Sequence, residues 1–203
     1  MDQTKITAKI YSNLLERFDK EIAGTHLKRD AFLNAVIKHE IQYLESDLTG
    51  VKLSNAARKH ISGSLKRLGT KTVNITVDKS TAKELNRVVG NTNIVRDAFL
   101  NRLIYLLLAT PNLLKALELP SHIDDQVLSS AQGMPTGAFP AIREVLGDPL
   151  FYLRIAHEKI RGVGLYASQD PISPGFEGFC CTISNYYVPG TDEYLGQITA
   201  DML

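Results

Sequence analysis

The hexapeptide Arg29-Asp30-Ala31-Phe32-Leu33-Asn34 recurs unchanged as Arg96-Asp97-Ala98-Phe99-Leu100-Asn101, 67 residues further along the chain. Carried backwards, that offset aligns Thr25 with Thr92, Ile22 with Val89, Phe18 with Leu85 and Ile10 with Val77. Carried forwards, it aligns Val36 with Leu103 and Ile37 with Ile104. Six consecutive identities flanked by matched apolar positions, without a gap, mark an internal repeat. The first half of the chain holds one unit twice.

Each unit opens on strict alternation. In Lys5–Ile10 the apolar residues are Ile6, Ala8 and Ile10; in Thr72–Val77 they are Val73, Ile75 and Val77. A period of two is that of a strand with one apolar and one polar face, and both strands keep the same phase relative to the hexapeptide. Polar start signals follow, Ser12-Asn13 and Asp78-Lys79-Ser80, ahead of apolar residues at helical spacing (Leu14, Leu15, Phe18, Ile22; Ala82, Leu85, Val88, Val89). These first helices are predicted to stop near Gly24 and Gly90-Asn91, residue types that tolerate a left-handed helix end. Second helices are predicted from Leu27 to Glu45 and from Ile94 to Ala109. The unit is strand, helix, turn, helix.

A lone short strand with two helices cannot bury its own apolar face, whereas two units with paired antiparallel strands can. The pattern resembles the ribbon-helix-helix family of DNA-binding proteins, over residues 4–45 and 72–109. The resemblance rests on the alternating strand, the inter-helix turn, and the segments Asp30-Ala31-Phe32 and Asp97-Ala98-Phe99. Two units in one chain look like the tandem, single-chain variant. The expected fold is mainly α with a short antiparallel β-ribbon: a tandem ribbon-helix-helix pseudo-dimer followed by a smaller α+β C-terminal domain. The corresponding boundaries are repeat 1 at 1–45, a helical linker at 46–71, repeat 2 at 72–109 and the C-terminal domain at 110–203.

In this family the outward strand face reads bases, which here implies Lys5, Thr7 and Lys9 with Thr72, Asn74 and Thr76. A two-stranded ribbon fits the major groove; lysine donates to guanine O6 and N7, asparagine pairs with the adenine edge, and threonine uses its hydroxyl or meets a thymine methyl. The alternative is that an exposed strand face is polar anyway. The resemblance further implies phosphate contacts at the turns, by Thr25, His26 and Lys28 and by Thr92 and Asn93, since a helix N-terminus presents free N–H groups and a positive dipole end. Capping alone would also account for Thr25, Thr92 and Asn93. Arg29 and Arg96 are open between phosphate and an acidic neighbour. Lysine on one strand only predicts an asymmetric site, read by molecules associating side by side on DNA.

Charge divides the same way. Residues 1–110 hold 18 lysines and arginines against 11 acidic residues; residues 111–203 hold 5 against 11. A basic half joined to an acidic half suits a polyanionic partner for the first, although chance variation along a chain gives similar numbers. Linker residues Leu53–Leu68 have helical spacing and carry Arg58, Lys59, His60, Lys66 and Arg67, ending at Gly69. They fit either phosphate contact or a solvated charged face.

Beyond Thr110 no family is recognisable. Short helices are predicted at 112–119 and 121–130, a loop at 133–140, helix at 141–160 with Pro149 interrupting it or starting a second helix, and strands near Val163–Ala167 and Phe179–Val188. No phosphate loop, no His-Glu-x-x-His and no spaced Cys/His set appears, so no enzyme activity, cofactor or metal is expected. The adjacent Cys180 and Cys181 read as buried packing. No secretory leader or apolar run long enough for a bilayer is read, which points to the cytoplasm with no membrane partner. The expectation is a sequence-specific transcriptional regulator binding double-stranded DNA, with a C-terminal domain that self-associates or engages a protein partner. Tandem members of the family suggest a conjugative-plasmid setting. The alternatives are a relaxosome accessory protein at a transfer origin, or an antitoxin autorepressor with a toxin-binding C-terminal part.

Overall fold

Residues 2–25, 27–109, 147–168, 177–184 and 188–194 are described by the computed structural model. The chain runs β1 (Gln3–Tyr11), α1 (Ser12–Gly24), α2 (Arg29–Asp47), α3 (Asn55–Arg67), β2 (Thr70–Asp78), α4 (Lys79–Thr92) and α5 (Arg96–Leu107). After the undescribed stretch come α6 (Phe151–Arg161) and a 3₁₀ turn at Glu177–Phe179. The described part is mainly helical, with one two-stranded antiparallel sheet. The helices expected at 112–119 and 121–130 and the loop at 133–140 lie outside the described residues.

The strands pair from Gln3 opposite Asp78 to Tyr11 opposite Thr70. Thr7 lies opposite Asn74, so the sheet is centred on two residues 67 positions apart. Alternation does what it predicts: Ile6, Ala8, Ile10, Ile75 and Val77 are buried, and each full burial of an aliphatic side chain stabilises by about 1.5–3 kcal/mol. Both strands pass into helix without a loop. No side chain caps α1 or α4. Instead the first helical N–H is taken by a backbone carbonyl at the foot of the other strand, Ser12 N to Gly69 O at 3.1 Å and Lys79 N to Asp2 O at 3.0 Å. These two bonds are again displaced by 67 residues.

Leu14, Leu15, Phe18 and Ile22 form the buried face of α1, and Ala82, Leu85 and Val88 that of α4. Helix α2 packs against β2 and α4, whereas α5 packs against β1 and α1. Each unit's second helix thus rests on the other unit's strand. Helix α2 starts at Arg29 and α5 at Arg96, two residues later than their periodicity suggested. Helix α1 ends on Thr25 in right-handed geometry, whereas α4 ends left-handed, on Asn93 with φ 56°.

The described residues after 146 join the same hydrophobic core as the first 109. Tyr166 stacks on Phe99 at 5.3 Å, and Phe179 lies between Tyr11 and Tyr105 at 6.1 and 5.7 Å. The strand expected at Val163–Ala167 is a turn. Its backbone groups are taken by side chains of the first half: Leu165 O accepts from Arg102 Nε at 2.8 Å, and Tyr166 N donates to Asp47 Oδ2 at 2.9 Å. Gly164 sits so close to Asp47 that a Cβ would overlap that carboxylate. Nor is there a strand over residues 179–184, where the chain leaves the 3₁₀ turn in irregular form.

Glu40 is fully buried yet fully partnered. Arg154 donates to both its oxygens at 2.9 and 3.1 Å, and the Tyr166 hydroxyl donates at 2.6 Å. Arg154 also holds Asp148 at 2.7 Å and lies 3.4 Å over the Tyr43 ring. This network ties α6 to α2. His39 joins Glu40 and Asp148 in a cluster of metal-ligand type, but the guanidinium of Arg154 already supplies the positive charge between those carboxylates.

Candidate nucleic-acid interface

The six residues expected on the outward strand face form three directly opposed pairs: Lys5 with Thr76, Thr7 with Asn74, and Lys9 with Thr72. Lys5, Thr7, Lys9, Thr72 and Asn74 are exposed and Thr76 is half-buried, while the opposite sheet face is core. At the centre Thr7 Oγ1 donates to Asn74 Oδ1 at 2.9 Å. That leaves Asn74 both amide hydrogens and one oxygen lone pair for an outside partner. Both lysines lie on β1, so the inequality runs across the ribbon, strand against strand, while each end carries one lysine facing one threonine.

A two-stranded ribbon has two unpaired outer edges, and here the polar residues of the hexapeptide take up part of each. On β2, Asp30 Oδ2 accepts from Thr76 N at 2.9 Å, Asn34 Oδ1 accepts from Asp78 N at 2.9 Å, and Arg29 donates to Asn74 O at 3.4 Å. On β1, Arg96 donates to Thr7 O at 2.6 Å, and Asp97 accepts from the Lys9 backbone. Asn101 accepts from Tyr11 N and donates to Lys9 O, both at 2.8 Å. Both arginines reach a strand carbonyl, and Arg29 has the acidic neighbour that is one of its two expected partners. Arg29 also pairs with Asp30 at 3.0 Å and Asp19 at 3.6 Å.

The two aspartates differ electrostatically. Burial pushes the Asp30 carboxyl up, but the hydrogen bonds from Thr76 and Arg29 outweigh it and hold the group below its usual range. Burial dominates at Asp97 and raises it, only partly offset by Arg96 and Lys9.

The turns are unequal too. Thr25 caps α1, its hydroxyl donating to Ile22 O at 2.8 Å, and Lys28 is the exposed residue before α2. His26 lies outside the described residues. In the second unit the Thr92 hydroxyl is buried and donates to Val88 O at 2.7 Å. Asn93 accepts from Arg58 at 2.7 Å and donates to Leu53 O at 2.8 Å. Ile94 and Val95 are buried. The linker thus covers the start of α5 and leaves the start of α2 open. Asn93, a residue type suited to left-handed geometry, was the sequence signal for this difference.

No described helix is long and apolar enough to cross a membrane. Comparison with protein-family models, curated proteins and solved structures finds no match to this chain.

Proposed function

We propose that residues 1–109 form a tandem ribbon-helix-helix pseudo-dimer that binds duplex DNA sequence-specifically, laying the β1–β2 ribbon in the major groove as a transcriptional regulator. The observation that carries this reading is the ribbon's outer face. Three opposed polar pairs, Lys5 with Thr76, Thr7 with Asn74 and Lys9 with Thr72, project from a sheet whose other face is core. The hexapeptide residues bond to its edges rather than to this face, and all of its outward side chains but that of Thr76 are exposed. The major groove accepts a two-stranded ribbon, and these side chains match its donors and acceptors. Lys28 at the open start of α2 supplies a phosphate contact that fixes register without reading sequence.

Selection from a random-sequence duplex library, followed by sequencing, tests the proposal. The wild type should enrich a defined motif, and the Lys5→Ala/Thr7→Ala/Lys9→Ala variant should enrich none while melting as the wild type does. An unchanged motif in that variant would remove the ribbon as reader.

A further inference from the structure

Between Leu48 and Val77 the chain contains no aspartate or glutamate, yet carries Lys52, Arg58, Lys59, Lys66, Arg67 and Lys71. Four of these cations stand on α3. The helix buries Ala57, Ile61, Ser64 and Leu65 and exposes Arg58, Lys59, Lys66 and Arg67. Some exposed cations nearby are held by carboxylates, as Lys71 is by Glu16, Lys79 by Asp2 and Arg87 by Glu45, while those of the ribbon face, Lys5 and Lys9, are not held by any among the described residues. None of the four on α3 has a carboxylate partner among the described residues. Cations without a neutralising carboxylate, gathered on one helix face, raise the local positive potential.

The position of that helix gives the charge a use. Its start is fastened to the α4–α5 turn by Arg58 to Asn93 at 2.7 Å and Leu53 N to Thr92 O at 2.9 Å, next to Arg96 on the middle of the β1 edge. Its end is fastened at the Tyr11–Thr70 end of the ribbon, where Gly69 O accepts from Ser12 N. Thirteen residues make a rod of about 20 Å. Helix α3 therefore runs from the α4–α5 turn to the Tyr11–Thr70 end of the ribbon, packed on α5 and the 3₁₀ turn. From behind, Gly178 presses on it so closely that a Cβ would come within 2.6 Å of Leu65 N. The stretch at the equivalent offset after α5, residues 115–134, carries Lys115 against Glu118, Asp124 and Asp125. It has no such cationic set.

Resting on the ribbon reading above, we propose that α3 is a second DNA-binding element, its basic face tracking the phosphate backbone beside one side of the ribbon's site only. The linker adds phosphate contacts on the side where Thr92 is buried and Asn93 is engaged by Arg58 and Leu53. DNA would be held over a longer span on the β1 flank than on the β2 flank.

The test uses the full chain and a duplex selected by it from a random library, with and without ten base pairs of extra flank on either side. Each phosphate neutralised contributes about 0.9 to the slope of log affinity against log salt. The variant Arg58→Gln/Lys59→Gln/Lys66→Gln should lower that slope by about 2 or more, weaken binding at least ten-fold near physiological salt, and lose footprint protection on one flank. Its selected motif should not change. Arg58→Lys/Lys66→Arg, which keeps the charge, should restore both slope and footprint. A triple variant with wild-type slope and footprint, on a duplex that still needs Lys5 and Lys9, overturns this inference and leaves the ribbon reading standing. Failure of the wild type to select any duplex overturns both.

Discussion

Asn34 and Asn101, 67 positions apart, do the same work on opposite edges of the sheet. Asn34 Oδ1 accepts from Asp78 N at 2.9 Å, and Asn101 Oδ1 accepts from Tyr11 N at 2.8 Å. Each belongs to one unit and serves the strand of the other. The pair explains why the last residue of a repeated hexapeptide is polar although the leucine before it, Leu33 or Leu100, is core.

Their burial is unequal, and that sets a measurable order. Asn101 is fully buried and also donates to Lys9 O and Asp97 O, whereas Asn34 is half-buried and its other bond reaches Asp78 Oδ2. Leaving a buried backbone group unpaired costs about 1–3 kcal/mol. Asn101→Ala should lose about 2–3 kcal/mol in urea unfolding and Asn34→Ala about half as much. Equal losses would mean that the edge bonds do not control strand pairing.

On the proposed function, substitutions on the exposed ribbon separate DNA binding from folding. Lys5→Ala and Lys9→Ala should leave the unfolding midpoint within about 0.5 kcal/mol of wild type, as exposed substitutions do. Each should relax base preference at one end of the selected site, at about 1–3 kcal/mol per lost contact. Competition binding with single base-pair changes locates the two losses on opposite sides of the centre marked by Thr7 and Asn74.

Glu40→Ala leaves Arg154 largely buried without its main partner. Breaking a buried pair by removing one member costs about 3–5 kcal/mol. Glu40→Gln keeps an acceptor for Tyr166 and should cost less. Limited proteolysis should then cut beyond residue 146 sooner in Glu40→Ala than in wild type, because the network joins α6 to α2.

His157 makes stability acid-sensitive. It is fully buried, Nδ1 lies 2.8 Å from Val163 O, and burial lowers its pKa from the ordinary 6.5. Below that value the unfolded chain takes up a proton that the folded chain resists. Stability therefore falls with pH from about 6.5 downward, to the lowered folded value. His157→Asn, with an amide in place of Nδ1, should flatten that part of a Tm-against-pH profile. An identical slope in the variant would assign the acid loss to other groups.

Much of the first 109 residues was legible from spacing. The alternation of Lys5–Ile10 located the strand and which face is core, because side chains in an extended chain alternate wherever it goes. The apolar spacing of Leu14, Phe18 and Ile22 located a helix face for the same local reason. The six outward residues followed from phase alone. The turns were less legible: Thr25 and Thr92 occupy matched positions, yet only tertiary packing of Leu53 and Arg58 on Asn93 covers one and leaves the other open. The tail misled because Val163–Ala167 has a strand-like composition, and composition does not say where backbone hydrogen bonds go.

By itself the sequence determined the repeat, its two strands, its helices and the polarity of the ribbon's outer face. These depend on periods of two and 3.6 residues, properties of a few neighbouring residues. Tertiary structure alone decided that Arg29, Asp30 and Asn34 clamp β2 while Arg96, Asp97 and Asn101 clamp β1. It alone set the basic α3 between the α4–α5 turn and the Tyr11–Thr70 end of the ribbon and spent the backbone groups of Leu165 and Tyr166 on Arg102 and Asp47. Those partners lie roughly 40 to 120 residues apart. Which of them meet depends on strand register and on how helices fill the space beneath the sheet, and no local spacing carries that information.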